Sequence, residues 1–222
     1  VPAVKKMVEV YFGPIPRGKD IVRNFPKEEP ITEPMREKAY DANIQIPAIL
    51  AAYRTPSFKD RDAYVLSMIS TYLSDGKTSK LYKKMVDDKK MALQVGAFDY
   101  SQEDYGTYII FGLPQGETNL DDLVVEIDEE ILKIQNELIS ERDFQKIQNK
   151  LENSFVNSNS SIQGVANSLA RYYMLYGDIN LINNEIDIYR SITREEIQQV
   201  AKKYLNPNQR LILEYLPETD KE

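Results

Sequence analysis

Few residues in this chain have both the type and the spacing to do chemistry. Ser74-x-x-Lys77 has the spacing of a serine–lysine acylating pair, in which an amine takes the hydroxyl proton. It overlaps Gly76-Lys77-Thr78, which has the form of the end of a phosphate-binding loop. Such a loop needs a glycine five residues before Gly76, where Thr71 stands, and a preceding strand, where the pattern is helical. The acids Asp121-Asp122 and Asp128-Glu129-Glu130 are cation-ligand types, but no calcium-loop spacing joins them. Their places in the first turn and on the outer face of a long helix read as solvated. Lys80, Lys83 and Lys84 make one side of a helix basic and also read as solvated. Tyr172, Tyr173 and Tyr176 suit the rim of a core or, less simply, a peptide-binding surface. Paired carboxylates for glycoside hydrolysis depend on tertiary approach, and nothing in the spacing argues for them. Two absences weigh more: the chain has no histidine and no cysteine. Triads and dyads built on imidazole or thiolate, disulfides and ordinary zinc sites are therefore excluded. No catalytic or metal-binding residue is assigned.

The elements that must position these residues follow from apolar periodicity. Val4, Met7, Val8 and Tyr11 repeat at helical spacing until Gly13, Pro14 and Pro16 stop them. Residues 17–33 lack periodicity and read as an extended connector wrapping one surface. Two strands are expected between 36 and 54, the second being Pro47-Ala48-Ile49-Leu50-Ala51-Ala52-Tyr53. A helix follows over 60–75, with Val65, Leu66, Ile69, Tyr72 and Leu73 inward and Gly76 at its C-terminal end. Another spans about 78–88. Strands at 92–100 and 106–113 flank the polar turn Ser101-Gln102-Glu103-Asp104.

The second half is mostly helix. Asn119 opens a long one with Leu120, Leu123, Ile127, Ile131, Ile134 and Leu138 on one face. Ser140 caps the next, with an Ile139–Phe144 staple, and Thr193-x-x-Glu196 with Ile192 and Ile197 repeats the device. Helices near 162–176, ended by Gly177, and 180–190 lie between them. Asn206-Pro207 stops the last helix, and residues 210–216 close the chain as a strand. The fold class is α+β, a mixed and largely antiparallel sheet packed against helices. Ile49, Ala51 and Tyr53 alternate with Ala48, Leu50 and Ala52, so both sheet faces are expected to be covered, the second by a partner domain.

A chain of 222 residues with 42% hydrophobic and 28% charged residues is ordinary globular material, and it shows no repeat or linker that would divide it. Its net charge of −7 argues against nucleic acid as a partner. No apolar run has the length to span a bilayer, so no membrane insertion is expected.

Three segments carry a resemblance: Tyr11-Phe12-Gly13-Pro14-Ile15-Pro16-Arg17-Gly18, Ser79-Lys80-Leu81-Tyr82-Lys83-Lys84-Met85-Val86 and Ala92-Leu93-Gln94-Val95. Together with the element order, they make the chain similar to the pitrilysin/insulinase family of zinc metallopeptidases, the inverzincins. More narrowly, it resembles a non-zinc-binding domain of the catalytic half. The resemblance implies paired α+β domains in two halves that close around a peptide. It places zinc on a partner domain through an H-x-x-E-H motif that this chain cannot supply. The Arg and Tyr by which the family's far half binds the scissile peptide would fall on Val86 and Leu93, so neither polar group is present.

The expectation is one domain over 1–222, its first strand lying upstream, that is non-catalytic and encloses a peptide substrate. The alternative is an inactive scaffold or interaction subunit of the same fold. An open edge strand would hold peptide by strand addition, with the strand unidentified and the substrate-binding residues unknown. Oligomerisation and the activity of the parent protein are left open. So is the compartment, with the periplasm preferred over the cytoplasm.

Overall fold

The computed structural model describes residues 1–22, 24–26 and 29–221. The elements run α1 (Pro2–Phe12), β1 (Met35–Asp41), β2 (Ala48–Pro56), α2 (Arg61–Ser74), β3 (Ala92–Tyr100), β4 (Tyr105–Pro114), α3 (Leu120–Asn136), α4 (Glu141–Ser158), α5 (Ile162–Arg171), α6 (Leu181–Ser191), α7 (Arg194–Tyr204) and β5 (Arg210–Pro217). Two wider π turns, Tyr82–Asp88 and Tyr172–Tyr176, stand where regular helix is expected. The strands form one sheet in the order β1-β5-β2-β4-β3, with β1 parallel to β5 and the other pairs antiparallel. The α+β, largely antiparallel reading holds.

Local signals explain the boundaries. Gly76 adopts φ +88° just beyond α2, and Gly177 adopts +71° after the second π turn, left-handed geometry that glycine reaches without a Cβ penalty. The side chains of Asn119 and Ser140 accept N–H groups of Asp122 and Asp143, opening α3 and α4. At α7 the box is complete: Thr193 Oγ1 accepts from the Glu196 amide at 3.2 Å, and Glu196 Oε2 accepts from the Thr193 amide at 2.9 Å. Ile192 and Ile197 are both buried beside it. Thr193→Ala is expected to cost about 1 kcal/mol, read as a fall of a few degrees in the thermal midpoint. An unchanged midpoint would mean that α7 is held by its packing alone.

The inner sheet face carries Ile49, Ala51, Tyr53, Tyr108 and Ile110, buried under α2, α3 and α7. α2 supplies Val65, Leu66, Met68, Ile69 and Leu73, and α3 supplies Leu123, Ile127, Ile131 and Ile134. Each fully buried aliphatic side chain contributes about 1.5–3 kcal/mol. Leu138 lies beyond the end of α3 and is exposed, because Glu137 turns to extended backbone and Ile139 takes the inward position. α5 and α6 bury no side chain, and Tyr172 between them is their one deep anchor among the described residues.

The two sheet faces differ in their cover, as expected of a sheet whose second face awaits a partner domain. The alternate positions of β2 and β4, among them Leu50, Ile109 and Phe111, are only half-buried, and Phe98 and Tyr100 on β3 are exposed. Helices of this chain therefore cover one sheet face and leave the other partly open. Phe111 lies across Gly96 so closely that a Cβ there would sit 2.3 Å from its ring. The connector's described residues up to Pro30 do not wrap the domain: they are exposed, and 23, 27 and 28 lie outside the described residues. All of α1 is exposed too. A compact chain of this size exposes roughly 10,000 Å². The observed 14317 Å² is larger, in keeping with the exposure of every described residue from Val1 to Pro30.

Candidate functional site

One row of inner-face residues crosses the sheet at a single register: Arg210 on β5, Tyr53 on β2, Tyr108 on β4 and Asp99 on β3. Arg210 is buried. It donates to the Tyr53 hydroxyl at 2.9 Å and binds Asp128 of α3 through both terminal nitrogens, Nη2 reaching Oδ2 at 2.8 Å. Burial pushes the Tyr53 phenol up to about 12, although Arg210 pulls the other way. Tyr108 is fully buried, and its hydroxyl approaches Ser70 without meeting it in hydrogen-bond geometry. The row ends at Asp99, on a sheet edge.

That edge is open. β3 pairs with β4 on one side, and among the described residues no strand pairs with its other side. A cavity of about 790 Å³ runs along it, between Ala97–Asp99, the hydroxyl-bearing side of α2 and the α5–α6 hairpin. Ser67, Ser70, Thr71 and Ser74 recur at three- and four-residue spacing, so α2 turns one polar stripe toward the cavity. Ser74 Oγ donates to the Ala97 carbonyl at 2.9 Å, which shows that this carbonyl points away from β4. In an antiparallel strand the N–H of the same residue points the same way. Asp99 accepts from Thr55 at 3.3 Å and also from Ser101. Burial pushes its carboxyl above the usual range, against the pull of these hydroxyls.

The sequence candidates fare unevenly. The Ser74 hydroxyl is engaged by backbone carbonyls, including that of Ser70, and has no geometry of an activated nucleophile with Lys77. Gly76-Lys77-Thr78 follows a helix rather than a strand, so no phosphate loop forms. The acids are a solvated face only in part: Asp121, Asp122 and Glu129 are exposed, whereas Asp128 is half-buried and Glu130 buried. Asp128 holds Arg210, Asp121 lies 2.6 Å from Arg36, and Glu126, Glu129 and Glu130 converge on Lys84 at 2.9, 2.7 and 3.2 Å. Glu126 and Glu130 are buried, and Lys84 with them is largely enclosed, so the solvated reading of Lys84 is corrected too. Lys80 pairs with Asp143 at 2.9 Å and Lys83 with Asp88 at 3.1 Å. The tyrosines divide: Tyr172 is buried, Tyr173 is exposed and Tyr176 lines the cavity. Sequence reasoning missed Asp99, Glu185, Tyr64 and Tyr189, all cavity-lining. The available signal was Gly96-Ala97 within a strand, where small residues mark a close approach of backbone.

The family model of the Peptidase M16 inactive domain matches residues 2–151. The chain belongs to this M16 peptidase inactive-domain family. It is similar to the zinc protease PqqE of Helicobacter pylori (strain ATCC 700392 / 26695), with 22% identity over 166 residues, or 75% of this chain and 37% of that protein. Among solved structures it resembles a protease from Helicobacter pylori with a TM-score of 0.89 at 20% identity, covering 97% of this chain and 52% of that one. A peptidase M16 inactive domain from Pseudomonas fluorescens gives 0.78 at 14% identity, covering 97% and 50%. The chain thus spans about a third to a half of these relatives.

Zinc is the metal that such relatives suggest, and the residues of this M16 domain do not fit it. The chain has no imidazole or thiolate. Among the described residues, no group of three or more acids could hold a metal ion. The carboxylates that do converge already surround the Lys84 ammonium. Val86, where the far half of the family would carry Arg, is packed against the core, and Leu93 is half-exposed on β3.

Proposed function

We propose that this chain is the non-catalytic, substrate-enclosing domain of a zinc metalloendopeptidase, within the catalytic half, with zinc held by another domain or subunit. Extended peptide seats along the free edge of β3, adding a strand to the sheet. The observation that carries this reading is the open cavity of about 790 Å³ beside an unpaired edge whose Ala97 carbonyl faces outward. Strand addition draws affinity from main-chain hydrogen bonds and specificity from alternate side chains. The opposite edge, β1, is the poorer candidate. Its exposed Arg36, Glu37 and Lys38 are the charged residues that discourage edge pairing.

The exposed apolar row on α1, Val4, Met7, Val8 and Tyr11, supports a second folded unit against this chain, in keeping with a domain that continues upstream. If that unit lacks H-x-x-E-H, the same surfaces serve a scaffold subunit instead.

The purified chain is expected to hydrolyse no peptide and to hold no stoichiometric zinc by elemental analysis. Chelator-resistant turnover would overturn the non-catalytic reading. The β3 seat is tested by binding extended peptides that are N-methylated one position at a time. Affinity should fall at every second residue, because only alternate N–H groups face β3. Insensitivity to the position of the methyl group would sink strand addition.

A further inference from the structure

The cavity beside β3 has a chemistry beyond its size. A strand added to β3 turns alternate side chains toward Ala97 and Asp99, into the space under α5 and α6. Directly opposed residues on neighbouring antiparallel strands bring their Cβ atoms to about 4.5–5.5 Å, where opposite charges pair favourably. The peptide residue facing Asp99 therefore meets a carboxylate whose hydrogen-bond partners in the protein are two hydroxyls, Thr55 and Ser101.

The far wall adds a second carboxylate and a set of rings. Glu185 of α6 spends Oε2 on the Tyr172 hydroxyl at 2.6 Å. Phe58 packs on Tyr176 with ring centroids 5.0 Å apart, and Tyr64 packs edge-on to Tyr189 at 5.3 Å. All four rings line the cavity. Aromatic faces beside carboxylates are the surroundings that hold an ammonium or guanidinium group. Counting charges, Asp75 is neutralised by Lys150 at 2.6 Å. Among the described residues, Arg171, beside Tyr176, is the one basic residue on the cavity wall, set against both Asp99 and Glu185. One negative charge stays uncompensated.

We infer that the cavity selects a basic side chain, lysine or arginine, at the peptide position opposite Asp99. This specificity rests on the seating of peptide along β3. A side chain fits better than a free α-amine, because an amine at that point would end the added strand at the cavity instead of letting the ladder continue past it.

The test uses fluorescently labelled extended peptides, each with a single lysine in a valine–threonine host, titrated against the whole chain by anisotropy. Replacing the lysine by norleucine, which keeps the stem and removes the charge, should weaken binding roughly tenfold, as expected of a partly desolvated charge pair. Asp99→Asn should erase the difference between the two peptides while leaving their alternating sensitivity to N-methylation. The peptide arm leaves the protein untouched, so a poorly folded variant cannot mask the result. Equal binding of lysine and norleucine peptides, with the methylation pattern intact, overturns the charge selection and leaves the β3 seat standing. Discrimination that disappears on acetylating the peptide N-terminus overturns it as well, in favour of an α-amine. Absence of any peptide binding removes the β3 seat and the selection together.

Discussion

Asp128→Ala should lower the unfolding free energy by about 3 kcal/mol, because it leaves the Arg210 guanidinium buried without its counter-charge. For a domain of this size that is a fall of roughly 10 °C in the thermal midpoint. Arg210 holds two groups at once, Asp128 from the helix layer and the Tyr53 hydroxyl from the sheet. Deleting the acid strips the stronger partner and leaves one phenol. Replacing both members, Arg210→Met with Asp128→Leu, should recover most of the loss, since an apolar pair carries no desolvation penalty. Thermal unfolding followed by circular dichroism separates the cases. A single variant within 0.5 kcal/mol of wild type, as is usual for surface changes, would show that water already compensates Arg210.

The second large effect is expected at Lys84→Met. Lys84 neutralises Glu126, Glu129 and Glu130, two of them buried, and its loss leaves those carboxylates with Lys89 and Lys133, whose own side chains are about half exposed. Breaking a buried pair from one side costs about 3–5 kcal/mol. The cost should depend on pH, with a definite sign. Burial opposes the charge on Glu126, yet hydrogen bonds from Lys84 and Lys89 outweigh it and hold the carboxyl below its ordinary 4.5. Burial also opposes the charge on Lys84, and the three glutamates outweigh it, holding the ammonium above its ordinary 10.5. A depressed carboxyl contributes stability that is present above its unfolded pKa and is lost as pH falls through the folded value. A raised ammonium contributes stability that is present below its unfolded pKa and is lost as pH rises through the folded one. The network is therefore at full strength between about 4.5 and 10.5. The difference between wild type and Lys84→Met, measured by urea denaturation, should be constant across that window and shrink on the acid side as Glu126 and Glu129, both held below their ordinary value, protonate. A difference that does not change down to pH 3 would mean that the methionine acts through packing alone.

Much of the secondary structure was legible because its causes are local. The periodicity of α2 and α3, the boxed Thr193 and Glu196, and the glycines at 76 and 177 all act within a turn or two of chain. The charged residues were misread for the opposite reason. Asp128 and Glu130 on a helix look the same whether they face water or a buried cation, and the partners that decide it are 82 positions away at Arg210 and 46 away at Lys84. The connector was misjudged similarly: lack of periodicity marks irregular chain without saying what it lies against.

The chemistry that this polypeptide cannot perform was determined by composition, since no fold creates an imidazole or a thiolate from a chain that has neither. The edge, the cavity and Asp99 within it were decided only by tertiary structure. β5 inserts between β1 and β2, parallel to β1, and so joins segments some 175 residues apart. At the other end of the sheet β3, paired among the described residues with β4 alone, is outermost, and the α5–α6 hairpin stands across from it to make a cavity. No local window of sequence contains both walls. Their meeting depends on which faces the assembled layers bury, which is a property of the whole packed domain.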